Sequence, residues 1–190
     1  MADWTVVVPV KGTQSAKSRL AASPELALAI ALDSVAAALG TTRVIVVTSS
    51  AMSESFEHLG AQVVIDAAAG LNAAVAQGIV AAGDGPVAVL LGDVPALRAA
   101  ELTLALELAA GHPLSFVADA DDDGTVLIAA LRSADHRPAF GRHSRAAHLA
   151  AGYVELEVPD ESGLRRDVDT PAQLAALAAR VGSRTRHHLP

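Results

Sequence analysis

The sequence predicts an α/β protein: a mostly parallel sheet with helices on both faces and an antiparallel portion in the second half. Three observations lead there. Strand-like and helix-like segments alternate from Trp4 to about residue 110, the pattern of repeated βαβ crossovers. The run from Val87 to Leu91 is uniformly apolar and stops abruptly at Gly92-Asp93, which suits a strand buried on both faces. Beyond residue 110, two strand-like segments are joined by an acidic stretch ending in Asp123-Gly124, a turn dipeptide that favours a hairpin.

Each element has a local reason. Trp4 to Val10 is β-branched and apolar, and a polar segment of a dozen residues, 11–22, follows it. Ser23 as N-cap, Pro24 in the first turn and Glu25 beside the positive helix end start a helix that runs to Leu39 and stops at Gly40. Arg43 to Thr48 is the second strand, Glu54 to His58 a short helix, and Gln62 to Ile65 the third strand. Gly70-Leu71-Asn72 opens a helix to about Ala82, and Asp84-Gly85-Pro86 turns the chain into the fourth strand. Leu114 to Ala118 and Thr125 to Leu131 form the hairpin. Ser144 caps a helix to Ala151, and Tyr153 to Val158 is a strand. Thr170 and Gln173 make a capping box for a final helix over 171–181. The expected organisation is one domain over residues 1–181 and a basic tail, 182–190, that frays.

Composition narrows the function classes. A chain of 190 residues with 52% hydrophobic and 18% charged residues is globular, and its size allows roughly 70% of the unfolded surface to be buried. Aromatics are only 3%, so the helices should pack closely through alanine. No cysteine is present, which excludes disulfides and thiolate metal sites and fits a cytoplasmic protein. No apolar stretch approaches the roughly 20 residues of a membrane span, so no membrane partner is expected. A net charge of −7 argues against general nucleic-acid binding and makes local positive charge necessary for any phosphorylated substrate. Oligomeric state is left open, a homo-oligomer included.

The chemistry-bearing residues fall into four groups. Lys11, Lys17 and Arg19, interleaved with Gly12, Ser15 and Ser18, form either a cradle for a polyphosphate or a solvated loop. No Walker or dinucleotide glycine pattern occurs. Asp93 at a strand end, with Asp167 and Asp169 on one face of an extended segment, reads as a Mg²⁺ site built from hard carboxylate oxygens. The plainer alternatives are a turn aspartate and compensation of the dipole of the helix at Pro171. Gly141 and Ser144, near Arg142 and Arg145, suit an anion or simply a helix cap. Gly70 and Asn72 start a helix or contact a nucleoside. The run Asp119 to Asp123 reads most simply as a solvated turn, and the histidines at 143, 148, 187 and 188 as mostly exposed.

In order along the chain stand Val8-Pro9-Val10-Lys11, Ala16-Lys17-Ser18-Arg19-Leu20, Gly70-Leu71-Asn72-Ala73-Ala74 and Leu91-Gly92-Asp93-Val94-Pro95. Asp123-Gly124-Thr125, then Phe140-Gly141 with Ser144, and last Asp167-Val168-Asp169-Thr170-Pro171 follow. This series resembles the 2-phospho-L-lactate guanylyltransferases and the related phosphoenolpyruvate guanylyltransferases of coenzyme F-420 biosynthesis, over residues 4 to about 177. The resemblance implies a single-domain nucleotide-diphospho-sugar transferase (GT-A-like) fold. It implies transfer of GMP from GTP to the phosphate of phosphoenolpyruvate or 2-phospho-L-lactate, with release of pyrophosphate. It puts Mg²⁺ on Asp93, Asp167 and Asp169, the nucleotide against Lys11, Lys17, Arg19, Gly70, Asn72 and Asp93, and the acceptor phosphate on Thr125, Gly141 and Ser144. Two departures bear on the acceptor: Val126 stands where asparagine is expected, and Arg142-His143 where smaller residues are. Val126 is then expected to line the acceptor pocket. The rival readings are another nucleotidyltransferase of this fold, a molybdopterin guanylyltransferase or sugar-phosphate cytidylyltransferase, and a nucleotide-binding subunit without activity. The first rival would carry a Gly-Gly-x-Ser-x-Arg loop, which residues 11–19 do not match.

Overall fold

The computed structural model describes residues 3–10, 23–67 and 69–189. Among the described residues, seven strands form one sheet in the order β3-β2-β1-β4-β6-β5-β7. They are β1 (Thr5–Pro9), β2 (Arg43–Thr48), β3 (Gln62–Ile65), β4 (Val87–Leu90), β5 (Leu114–Ala118), β6 (Thr125–Ala130) and β7 (Val154–Glu155). Only β6 runs against its neighbours, β4 and β5; the other pairings are parallel. The expected parallel sheet with an antiparallel second half is therefore present. Every residue of β1 and β4 is buried, as the unbroken apolar runs require.

The helices are α1 (Pro24–Leu39), α2 (Ser50–Glu57), α3 (Leu71–Ala82), α4 (Ala99–Ala109), α5 (Ser144–Ala150), α6 (Pro171–Leu177) and α7 (Ser183–His187). On one face, Ala31, Val35 and Ala38 of α1, Phe56 of α2 and Leu102, Ala105 and Ala109 of α4 pack on Val6, Val8, Val46 and Leu90. On the other, Ala74, Val75 and Ile79 of α3 pack on Val7, Ile45 and Val89. Alanine dominates these contacts and lets the helix backbones approach the sheet closely. The caps are as the sequence dictates: Ser23 Oγ accepts from Leu26 N at 3.2 Å, and Thr170 and Gln173 close a capping box.

Three differences have physical causes. The second helix starts at Ser50, four residues earlier than expected, with Ser49 extended at its N-cap. The final helix ends at Leu177, and the segment expected to fray forms α7 instead. The cause is Asp33, buried on α1, whose carboxylate accepts from Thr185 N at 2.7 Å and Arg184 N at 3.3 Å. Gly182 N also donates to Pro95 O at 2.8 Å, so the tail is docked and Thr185 is fully buried. Lastly, Val117 pairs with Leu127 but Ala118 pairs with Thr125, so Val126 is an extra residue in β6. That irregularity reverses which face Thr125 presents.

The chain leaves β1 towards β2 on one side and returns to β4 on the other. In open α/β sheets, the crevice beyond the C-terminal ends of two such strands is where ligands bind.

Candidate active site

Asp93 lies at that crevice, just past β4 and half-buried. Asp167 and Asp169 arrive from the far end of the chain, and three features hold them there. Val168 N donates to Asp93 O at 2.9 Å, so the two segments are zipped by backbone. Glu101 in the first turn of α4 accepts from Gly163 N at 2.9 Å. Gly163 itself sits so close to Ala96 that a Cβ there would fall 2.1 Å from the Ala96 carbonyl oxygen; only glycine fits. Val168 is buried with Ile30, Ala96 and Leu174, which turns Asp167 and Asp169 out to the same side.

The result is a cluster in which one carboxylate oxygen from each of Asp93, Asp167 and Asp169 lies within 4.8 Å of the others. Three anions at this range repel. Burial, first, and then the charges of Asp93, Asp169 and Asp119 push the Asp167 carboxyl up to about 7. An all-oxygen donor set, closely spaced and over-charged, suits a hard divalent cation such as Mg²⁺ or Mn²⁺. The sequence expectation for these three residues as one cluster matches their placement. Lys11, Lys17 and Arg19 lie outside the described residues; Val10, directly before them, is at the C-terminal end of β1 beside the crevice.

The remaining residues fall into a second group across β6. Leu91 N donates to Val126 O at 2.9 Å, which sets the start of β6 beside the strand end that carries Asp93. Thr125 is buried there, with Oγ1 3.0 Å from His148 Nδ1 on α5. Gly141, at φ 144°, and Ser144 lie on the turn into α5. Ser144 was expected to cap this helix. The N-cap is His143, in a left-handed conformation, and Ser144 is the first helical residue, with its side chain buried. Gly70 precedes α3 at its N-cap. Asn72 reaches across to that turn: its Oδ1 accepts from Phe140 N and its Nδ2 donates to Phe140 O, both at 3.0 Å. These two bonds hold the Phe140-Gly141 turn against the start of α3.

Two expectations are corrected. Val126 does not line a pocket on the side of Thr125; as the extra residue in β6 it is buried in the core with Val8, Leu90 and Leu127. The acidic turn is not merely solvated. Asp119 accepts from Gly124 N, Arg165 pairs with Asp122 at 2.6 Å and Asp160 at 2.5 Å, and His143 Nδ1 meets Asp123 at 2.7 Å. His143 therefore anchors the 141–144 turn to the hairpin, and Arg145 is paired with Glu155 at 2.9 Å. The reading of residues one by one missed Glu101, Gly163, Arg165 and the buried His148, since each acts through a partner far away in the chain.

Comparison with known proteins bears on this site. Residues 4–183 match the family model described as "Guanylyl transferase CofC like". The chain belongs to that family. Among the relatives of this CofC-like chain is a phosphoenolpyruvate guanylyltransferase of Streptomyces avermitilis, 46% identical over 198 residues, covering 96% of this chain and 92% of the relative. The enzyme of the same name from Salinispora arenicola is 48% identical over 192 residues, covering 94% and 89%. A nucleotidyl transferase from Methanothermobacter shares the CofC-like fold with a TM-score of 0.70 at 21% identity, over 92% of this chain and 95% of that one. A Mycobacterium tuberculosis H37Rv protein solved in complex with manganese does so at 0.60 and 23%, over 94% and 100%. The fold of that nucleotidyl transferase, a mostly parallel α/β sheet with an antiparallel portion, is thus the fold of this chain. No helix among the described residues is long and apolar enough to cross a membrane.

Proposed function

We propose that this chain transfers GMP from GTP to the phosphate of phosphoenolpyruvate, as a cytoplasmic step in coenzyme F-420 biosynthesis that uses Mg²⁺. The observation that carries the reading is the gathering of Asp93, Asp167 and Asp169 at the β1/β4 crevice, in a chain whose relatives are named for this reaction. An oxygen of the acceptor phosphate attacks the α-phosphorus of GTP; the bond from that phosphorus to the β-bridging oxygen breaks, and pyrophosphate leaves. A phosphate monoester is already largely ionised at neutral pH, with a second pKa near about 6, so the attack needs no general base. The protein's tasks are alignment and charge neutralisation. Asp93, Asp167 and Asp169 would hold the cation, which supplies positive charge against the α-phosphate and the departing group. Lys11, Lys17 and Arg19 would meet the triphosphate, and Thr125, Gly141 and Ser144 the acceptor phosphate, with Asn72 and His143 fixing the turn that carries the last two.

Pyrophosphate release measured with four nucleoside triphosphates against phosphoenolpyruvate and 2-phospho-L-lactate tests this directly. GTP with phosphoenolpyruvate should give the highest kcat/KM. The acids differ at the third carbon, planar methylene against tetrahedral methyl, a contrast that a pocket reads by about 1–3 kcal/mol. A kcat/KM for 2-phospho-L-lactate equal to or above that for phosphoenolpyruvate defeats the acceptor assignment. Turnover of neither defeats the reaction.

A further inference from the structure

Behind Thr125, His148 is fully buried, enclosed by the rings of Phe116, Phe140 and Tyr153 at centroid distances of 6.1, 5.2 and 5.3 Å. Its Nε2 lies 3.0 Å from the backbone N of Ala139. A backbone N–H only donates, so Nε2 is the bare, accepting nitrogen. The single proton of the neutral ring is then on Nδ1, which lies 3.0 Å from Thr125 Oγ1. An imidazolium would bring a second N–H against that of Ala139. Burial opposes the charged ring and outweighs the Ser144 carbonyl, which favours it; with nearby His136 in a lesser part, burial holds the pKa down at about 4. Tyr153 is fixed in turn. His136 Nε2 donates to Val87 O at 3.0 Å, so its Nδ1 accepts from the Tyr153 hydroxyl at 3.1 Å, and that hydroxyl accepts from Arg137 N at 2.7 Å.

We infer that His148 is a positioning residue that makes the Thr125 hydroxyl a dedicated hydrogen-bond donor to the acceptor's phosphate. The inference rests on the proposed role of Thr125 as an acceptor contact. A threonine hydroxyl is free to donate or accept, whereas an ionised phosphate oxygen presents lone pairs only. Because His148 Nδ1–H occupies one lone pair of Thr125 Oγ1, the hydroxyl proton turns away from the ring. The extra residue Val126 is what brings Thr125 to this face: with regular alternation it would share the face of Leu127, inside the opposite core. The buried cage fixes the ring, the ring fixes the hydroxyl, and the hydroxyl meets a phosphate already oriented to donate, at no reorganisation cost on binding.

Nitrogen-15 NMR of the imidazoles in the intact protein at pH 7 tests the first link without any substitution. A neutral His148 protonated on Nδ1 is expected; protonation on Nε2, or an imidazolium, overturns the inference. Steady-state kinetics with GTP and phosphoenolpyruvate test the second. In His148→Asn the amide nitrogen takes the place of Nδ1 and keeps a donor towards Thr125, whereas His148→Gln presents its amide at the Nε2 place. Losing an oriented bond to a charged group should raise the KM for phosphoenolpyruvate about tenfold in His148→Gln, with the KM for GTP within about twofold and the Asn variant largely rescued. Combined with Thr125→Val, His148→Gln should add nothing further. If Thr125→Val leaves the acceptor KM unchanged, the acceptor role of Thr125 is itself wrong. If Thr125→Val raises it and His148→Gln does not, that role stands and the inference about His148 falls. Equal losses for both substrates in both His148 variants would also overturn it, leaving His148 a core residue; should the variants not fold, the NMR result decides.

Discussion

Asp167→Asn should stabilise the metal-free protein while destroying its activity. The carboxyl of Asp167 is raised from an ordinary 3.8 to about 7 by burial and by Asp93, Asp169 and Asp119. A folded pKa above the unfolded one means that ionisation opposes folding. Stability is intact below about pH 4, is lost as pH rises towards 7 because the unfolded chain releases its proton first, and is level above that. Three pH units at about 1.36 kcal/mol each set a ceiling of about 4 kcal/mol. Asp167 is only half-buried and water reaches the exposed Asp169 beside it, so solvent screening lowers the expected gain to about 1–3 kcal/mol. Urea denaturation in EDTA at pH 8.5 should show that gain for Asp167→Asn over wild type, and the gap should shrink steadily towards pH 5. Adding Mg²⁺ should reverse the order, since a cation stabilises the ionised cluster that only the wild type has. A variant no more stable than wild type at pH 8.5, or a gain independent of pH, would refute the electrostatic account of the cluster.

Three further outcomes are expected. Asp93→Asn and Asp169→Asn should each fold with near-normal melting temperature and lose most turnover at saturating GTP; full activity in either removes that residue from the metal set. Lys17→Ala should raise the KM for GTP or lower kcat with thermal stability close to wild type, and unchanged calorimetric affinity together with unchanged rates would remove Lys17 from the triphosphate contacts. Asp33→Ala removes the buried acceptor of Thr185 N and should cost about 1–3 kcal/mol, with hydrogen exchange rising first in α7; protection of α7 equal to wild type would show that the carboxylate is not what docks it.

The parts of the fold legible in the sequence are those decided within a few residues. Ser23-Pro24 starts α1 where expected because a cap and a proline act on the turn they begin. Gln62 to Ile65 and Leu71 to Ala82 match for the same reason: the apolar period and the flanking glycines are local. The grouping of Asp93 with Asp167 and Asp169 was legible through the resemblance and through chemistry, since clustered carboxylates at strand ends have few other uses. What was not legible depends on partners elsewhere in the chain. No feature of residues 182–190 announces that Asp33 caps them, and no feature of Val126 announces that β6 carries one residue too many opposite β5. His148 looks like any histidine in a short helix until three aromatic rings from other elements close around it.

The backbone bond from Val168 to Asp93 also has a consequence for how the protein is made. Strands β1 to β4 and Asp93 leave the ribosome long before Asp167 and Asp169 do. The emerging chain is therefore able to assemble its parallel half-sheet without ever bringing the three carboxylates together. Competence arrives in one late event, when the segment from Gly163 to Val181 closes back over α1 and the Asp93 turn. A chain truncated before that segment would retain the sequence of all seven described strands and still lack two of the three carboxylates, so under the proposed metal assignment cation affinity would report whether the closing segment is present. A cation held by Asp93, Asp167 and Asp169 as proposed would tie that closing segment to the first half of the chain. It should suppress opening of that closing segment far more than it tightens the sheet itself.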